Sequence, residues 1–129
     1  MDKQPEKPLT VDGMQEIVDQ YIGQFKEGYF SPLAMMARLT EEVGELAREI
    51  NHYYGEKPKR KDEEEKSIDM ELADCLFILI CFANSLGISL EEAFHRMMHK
   101  FNTQMQIGGQ ELMRENRIHK GKRKNENGE

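Results

Sequence analysis

The nine residues Cys75–Ala83 (CLFILICFA) are apolar without interruption, and no other stretch constrains the fold of this chain as strongly. At about 100° per residue such a run shows apolar side chains on every side of a helix, so other protein has to surround it. It is far short of the roughly 20 residues needed to cross a bilayer. Glu71 and Asp74 stand directly before it, one helical turn apart. Carboxylates so close to a buried helix need cations or hydrogen bonds, because burial without them penalises the charged form. Cys75 and Cys81 lie inside the run and point about 120° apart on a helix, so they cannot bridge each other locally. They are expected to be buried, reduced thiols of a cytoplasmic protein.

The remaining elements follow from spacing and caps. Thr10 is a helix N-cap with Asp12 in the first turn, and Met14, Ile17, Val18, Tyr21, Ile22 and Phe25 recur at helical spacing until Gly28 stops the run. Ser31–Pro32 is a second start signal, a hydroxyl cap followed by proline at the first helical position. Leu33, Met36, Leu39, Val43, Leu46, Ile50 and Tyr54 then form an apolar stripe, predicted to be the buried face of a helix ending near Gly55. Residues 55–66 (GEKPKRKDEEEK) read as a charged loop, with Pro58 barring a helix. The third helix spans about 65–86 and ends at Gly87. Ser89-Leu90-Glu91-Glu92 forms a capping box for a fourth, whose buried face is Leu90, Phe94, Met97, Met98, Phe101 and Met105. Gly108–Gly109 are expected to break that helix, with a short helical turn to Met113.

The predicted fold is all-α: a four-helix bundle over residues 10–113, with a flexible N-terminus (1–9) and a disordered polar tail (114–129). Only 38% of residues are hydrophobic and 33% are charged, so a second subunit is expected to complete the core. The net charge of −6 argues against a nucleic-acid polymer as partner, since that needs a basic face to release counterions. The basic clusters Lys57–Lys61 and Arg114–Lys124 read as solvated segments. The opening MDKQPEKP has no apolar stretch of the signal-peptide kind. No membrane association is expected.

Glu41, Glu42, Glu45 and Glu49 fall within roughly 100° of one another on the second helix. Two antiparallel helices joined by about a dozen residues can set Glu42 and Glu45 opposite Glu71 and Asp74. Four hard oxygen donors on rigid helices suit Mg²⁺ or Mn²⁺, which would polarise a phosphoryl oxygen and lower the pKa of a bound water. Acidic helix faces are also common as plain solvated surfaces, and Arg38 or Arg48 can pair with them as ordinary surface contacts. Spacing alone leaves both readings open.

The stretch Leu39-Thr40-Glu41-Glu42-Val43-Gly44-Glu45-Leu46, followed by Glu71-Leu72-Ala73-Asp74, resembles the EExxE…ExxD signature of the MazG-like all-α nucleoside triphosphate pyrophosphohydrolases. The resemblance runs from about Met14 to Gln104, and Asn84–Ile88 with Leu90–Ala93 resembles the family's link into its last core helix. It implies Mg²⁺ ligation by Glu42, Glu45, Glu71 and Asp74. Glu41 assists, as a further ligand or by orienting the attacking water. It also implies water attack at the α-phosphorus of a nucleoside triphosphate, with pyrophosphate leaving, and a homodimer or homotetramer. Lys100 matches a family lysine that can neutralise phosphate charge in a Lys-Phe-x-x-Arg pattern. Gln104 stands where that pattern has its arginine.

Other residues admit two roles. Asn84 can bind substrate at a base or sugar edge, or cap the third helix. Tyr29 and Phe30 can stack on a base or pack in the core. Gly44 suggests close helix contact. Glu49-x-x-His52 and Glu92-x-x-His95 fit the ligand pattern of a di-iron bundle. A non-catalytic helical scaffold is the remaining alternative.

Overall fold

The computed structural model describes residues 7–55 and 67–126, with side chains described as far as Ile118. Its elements are α1 (Val11–Ile22), α2 (Pro32–Tyr54), α3 (Ile68–Ser85) and α4 (Leu90–Glu126), with no strand among the described residues. No single described helix is long and apolar enough to cross a membrane.

Local chemistry sets the starts. Thr10 Oγ1 accepts from the Gly13 N–H at 3.0 Å, and Ser31 Oγ accepts from the Ala34 N–H at 3.3 Å ahead of Pro32. α1 stops at Ile22, earlier than Gly28, because Gly23 ends it and the chain turns through Tyr21–Phe25 carbonyl contacts. Gly28 and Gly87 instead supply the two positive-φ turns, at 63° and 66°, where a side chain would be strained.

The chain divides into two units, Met1–Leu90 and Glu91–Glu129. In the first, α3 packs against α2 and, less extensively, α1. Val18, Met35, Ile80 and Cys81 form its core, with Met14, Ile22, Tyr29, Phe77, Phe82 and Leu90 around them. The face of α2 that turns inward is not the predicted apolar stripe. Met35, Glu42 and Glu49, seven residues apart, are its buried positions, while Val43 and Ile50 are 49% and 42% exposed. α2 thus turns an acidic seam toward its neighbours and leaves apolar side chains outside. The uninterrupted run in α3 is likewise covered on one side only: Ile80, Cys81 and Ala83 are buried, but Leu76 and Leu79 stay exposed because only α1 and α2 pack on this helix within the unit. The close contact expected at Gly44 is absent from the described chain, since a Cβ there would meet open space.

The second unit holds α4 from Glu91 onward. The helix continues through Gly108–Gly109 to Glu126, so residues 114–126 are helical and not the expected disordered tail. Each interior glycine costs about 1 kcal/mol relative to alanine, which the flanking Gln, Glu, Leu, Met and Arg residues evidently carry. Residues 127–129, like 1–6 and the predicted loop over 56–66, lie outside the described residues.

Candidate metal centre and its cavity

Glu42 and Glu45 are three residues apart on α2, so they share a face one turn apart. α3 brings Glu71 to that face. One carboxylate oxygen from each of the three lies within 4.8 Å of the others, the only such group of metal-ligating side chains found among the described residues. Glu71 is 2% exposed, Glu42 is 6% exposed, and Glu45 is half-buried. Three like charges this close, two of them buried, are unfavourable without a cation. Glu42 supplies a more specific sign: its Oε2 is buried and accepts no hydrogen bond, while its Oε1 meets Arg38 Nη2 at 3.1 Å. Hard, anionic oxygens, one of them an acceptor unused by any described residue, fit a divalent ion such as Mg²⁺ or Mn²⁺.

Asp74 does not join that trio. It is exposed on the next turn of α3 and lines a cavity of about 690 Å³ together with Glu42 and Arg38. Its charge still bears on the same neighbourhood. The Cys75 thiol is pushed up from its ordinary value by burial, and further by the negative fields of Glu42, Glu71 and Asp74. Both cysteines are free thiols, and burial also raises Cys81.

The cavity opens between the end of α1, the following turn, and the faces of α2 and α3. Tyr21, Phe25, Tyr29, Phe30 and Phe77 give it an aromatic wall, and acids and Arg38 mark the opposite chemistry. This is the usual composition of a small-molecule site, apolar surface with a few convergent polar groups. Among its described lining residues Arg38 is the one cation.

Tyr29 is held by a hydrogen-bond network. Its hydroxyl donates to Asp19 Oδ1 at 2.7 Å and accepts from Asn84 Nδ2 at 2.9 Å. Burial, followed by the bond to Asp19, pushes the phenol up to about 12. Asn84 also donates to the Gln15 carbonyl and accepts from Gln15 Nε2, both at 2.9 Å, so both of its amide hydrogens are used within the protein. Gln15 goes on to donate to the Ile88 carbonyl and to accept from the Leu90 N–H. Asn84 therefore ties α1, α3 and the Tyr29 turn together.

The other predicted residues are dispersed. Glu41 is exposed and pairs with Arg38 at 3.3 Å. Lys100 is exposed on α4, in the second unit. Glu49 is buried and His52 half-buried on α2, and neither joins the acidic trio, which leaves the di-iron pattern without a shared centre among the described residues. Sequence reasoning missed Arg38 as a cavity residue and Gln15, Asp19 and Tyr29 as a network. The Arg38 signal was present in its i,i+4 spacing to Glu42.

Residues 30–106, which include every acidic residue discussed above as a possible ligand, match the MazG nucleotide pyrophosphohydrolase domain. The chain belongs to the MazG family. It is 70% identical over 94 residues to the uncharacterized protein YpjD of Bacillus subtilis (strain 168), covering 73% of this chain and 85% of that protein. The crystal structure of Bacillus subtilis YpjD aligns with a TM-score of 0.67 at 67% identity, over 77% of this chain and 99% of that one. The crystal structure of a Bacillus-conserved MazG protein, a nucleotide pyrophosphohydrolase, aligns with a TM-score of 0.64 at 62% identity, over 74% and 92% of the two chains. The MazG assignment makes this all-α chain a hydrolase of the nucleotide pyrophosphatase class and bears out the resemblance seen in its sequence.

Proposed function

We propose that this MazG domain hydrolyses a ribo- or deoxyribonucleoside triphosphate to the monophosphate and pyrophosphate, with Mg²⁺ as the working ion and Mn²⁺ as a substitute. The observation that carries this reading is the opening of the buried acidic trio, through Glu42, onto an aromatic-walled cavity. The acids suit an ion that binds phosphates, and the wall suits a flat base.

Glu42, Glu45 and Glu71 would hold the ion, with Asp74, which lines the same cavity as Glu42, as a fourth ligand. A divalent ion held there would offset triphosphate charge and polarise a phosphoryl oxygen. Glu41, on the solvent side of α2, orients the attacking water. The water oxygen bonds to the α-phosphorus as the bond from that phosphorus to the bridging oxygen breaks, and pyrophosphate leaves. Tyr29 presents its ring to the base. Asn84 serves substrate binding by fixing that ring, and the Lys100 of the family pattern stays a proposed cation for the phosphates on the sequence resemblance alone.

We take the active form to be a homodimer or homotetramer. The exposed Val43, Ile50, Leu72, Leu76 and Leu79 on α2 and α3 support this, as apolar side chains that a second copy would remove from water. A cytoplasmic location fits the two free thiols. No nucleic-acid polymer or membrane is required.

The test is a nucleotide panel assayed separately for pyrophosphate and orthophosphate, with Glu45→Gln and Asp74→Asn beside the wild type. Pyrophosphate release by the wild type alone, with all three proteins folded by circular dichroism, is the expected outcome. Orthophosphate release, or unimpaired variants, would reject the assignment.

A further inference from the structure

An acidic site has to admit a substrate of the same sign. The triphosphate approaches a cavity that already carries Glu27, Glu42 and Asp74, and Arg38 is the one cation among the described lining residues. In this structure Arg38 is engaged elsewhere: Nη2 lies 3.1 Å from Glu42 Oε1, and Nη1 lies 3.3 Å from Glu41 Oε2.

The contact with Glu42 is not an ordinary surface ion pair. The Glu42 side chain is only 8% exposed and Arg38 is 57% exposed, so a mobile cation reaches in to a fixed, buried carboxylate. Such a pair offsets the desolvation of the acid while leaving the arginine free to move without disturbing the packing. It also means that an incoming divalent ion has to compete for Glu42.

We propose that Arg38 is a displaceable counter-ion that neutralises Glu42 when no metal is bound and passes to the substrate's phosphates once the metal holds that carboxylate. The guanidinium fork matches phosphate oxygens as well as it matches carboxylate, so one side chain can serve both partners in turn. This rests on the function proposed above and assigns the phosphate contact to α2, beside the acids and within the same unit.

The two roles have opposite signatures. Arg38→Met keeps the length of the stem and removes the charge. Without the competing cation, the nucleotide-free Arg38→Met protein should bind Mn²⁺ several-fold more tightly than wild type by titration calorimetry. With metal saturating, its KM for a nucleoside triphosphate should rise about tenfold or more, the usual loss for a charged hydrogen bond. Arg38→Lys keeps the charge without the fork and should fall between wild type and Arg38→Met in both measurements. Equal or weaker Mn²⁺ affinity in Arg38→Met would overturn the counter-ion role. Tighter Mn²⁺ binding with an unchanged KM would reduce Arg38 to a structural partner of Glu42 and overturn the transfer to substrate. If the wild type itself released no pyrophosphate, the proposed function would fail in all three proteins alike. Failure of the Arg38 reading alone appears as equal KM values in active enzymes.

Discussion

Neutralising Glu71 should make the metal-free protein more stable while removing its response to metal. One oxygen of this 2%-exposed carboxylate lies within 4.8 Å of oxygens on Glu42 and Glu45. Two unit charges at that separation repel by roughly 3 kcal/mol at an effective dielectric near 20. Arg38 offsets part of the charge on Glu42, Glu71 and Glu45 keep interactions of their own, and water screens the half-buried Glu45, so the net relief in Glu71→Gln is about 1–2 kcal/mol. For a chain of this size that is a rise of about 4–8 °C in Tm, at roughly 4 °C per kcal/mol. The same charge that destabilises the metal-free fold attracts the ion. Mg²⁺ or Mn²⁺ should therefore raise the wild-type Tm and leave Glu71→Gln nearly unmoved. Scanning calorimetry in chelator and in excess metal, at equal protein concentration, reads both effects. A variant that melts at or below wild type in chelator, and gains as much from metal, would refute the argument.

Tyr29 should ionise late. Its native value of about 12 lies above the unperturbed 10.0, so the folded state favours the protonated form. The stability this contributes is complete below pH 10 and is lost as pH rises toward 12. A tyrosinate absorbance titration should show a late component near pH 12 that Tyr29→Phe removes, and a titration curve that Tyr29→Phe leaves unchanged at that end would contradict the network. Sedimentation equilibrium should find a dimer or tetramer. Val43→Glu and Leu79→Glu, placed on the exposed apolar faces, should weaken it, whereas a monodisperse wild-type monomer would remove the role given to those faces.

The legible parts of this fold are those governed by neighbours in sequence. The Thr10 and Ser31 caps form as read because a hydroxyl three residues before an amide needs no tertiary partner. Helical spacing put Glu42 and Glu45 on one face of α2 and Glu71 beside the apolar run, and left open whether those acids meet an ion or only solvent. The inward face of α2 was not, because hydrophobic periodicity identifies a face that wants burial without saying which surface will cover it. Here the inner position goes to Glu42 and Glu49, and Val43 and Ile50 remain outside. Arg38 was misjudged for the same reason: an i,i+4 pair looks like a surface contact until α3 buries its carboxylate. Asn84 reaches Gln15 and Tyr29 across 69 and 55 residues of chain, a relation invisible to local spacing. Gly108–Gly109 show the reverse error, in which two glycines were given more weight than a long run of helix-forming neighbours.

The proposed reaction delivers water to the α-phosphorus at the acids of α2 and α3. Turnover of a nucleoside triphosphate in water enriched with heavy oxygen, followed by mass spectrometry of both products, tests it directly. One heavy oxygen in the nucleoside monophosphate and none in the pyrophosphate is the expected result. Label in the pyrophosphate would show attack at the neighbouring phosphorus and contradict it.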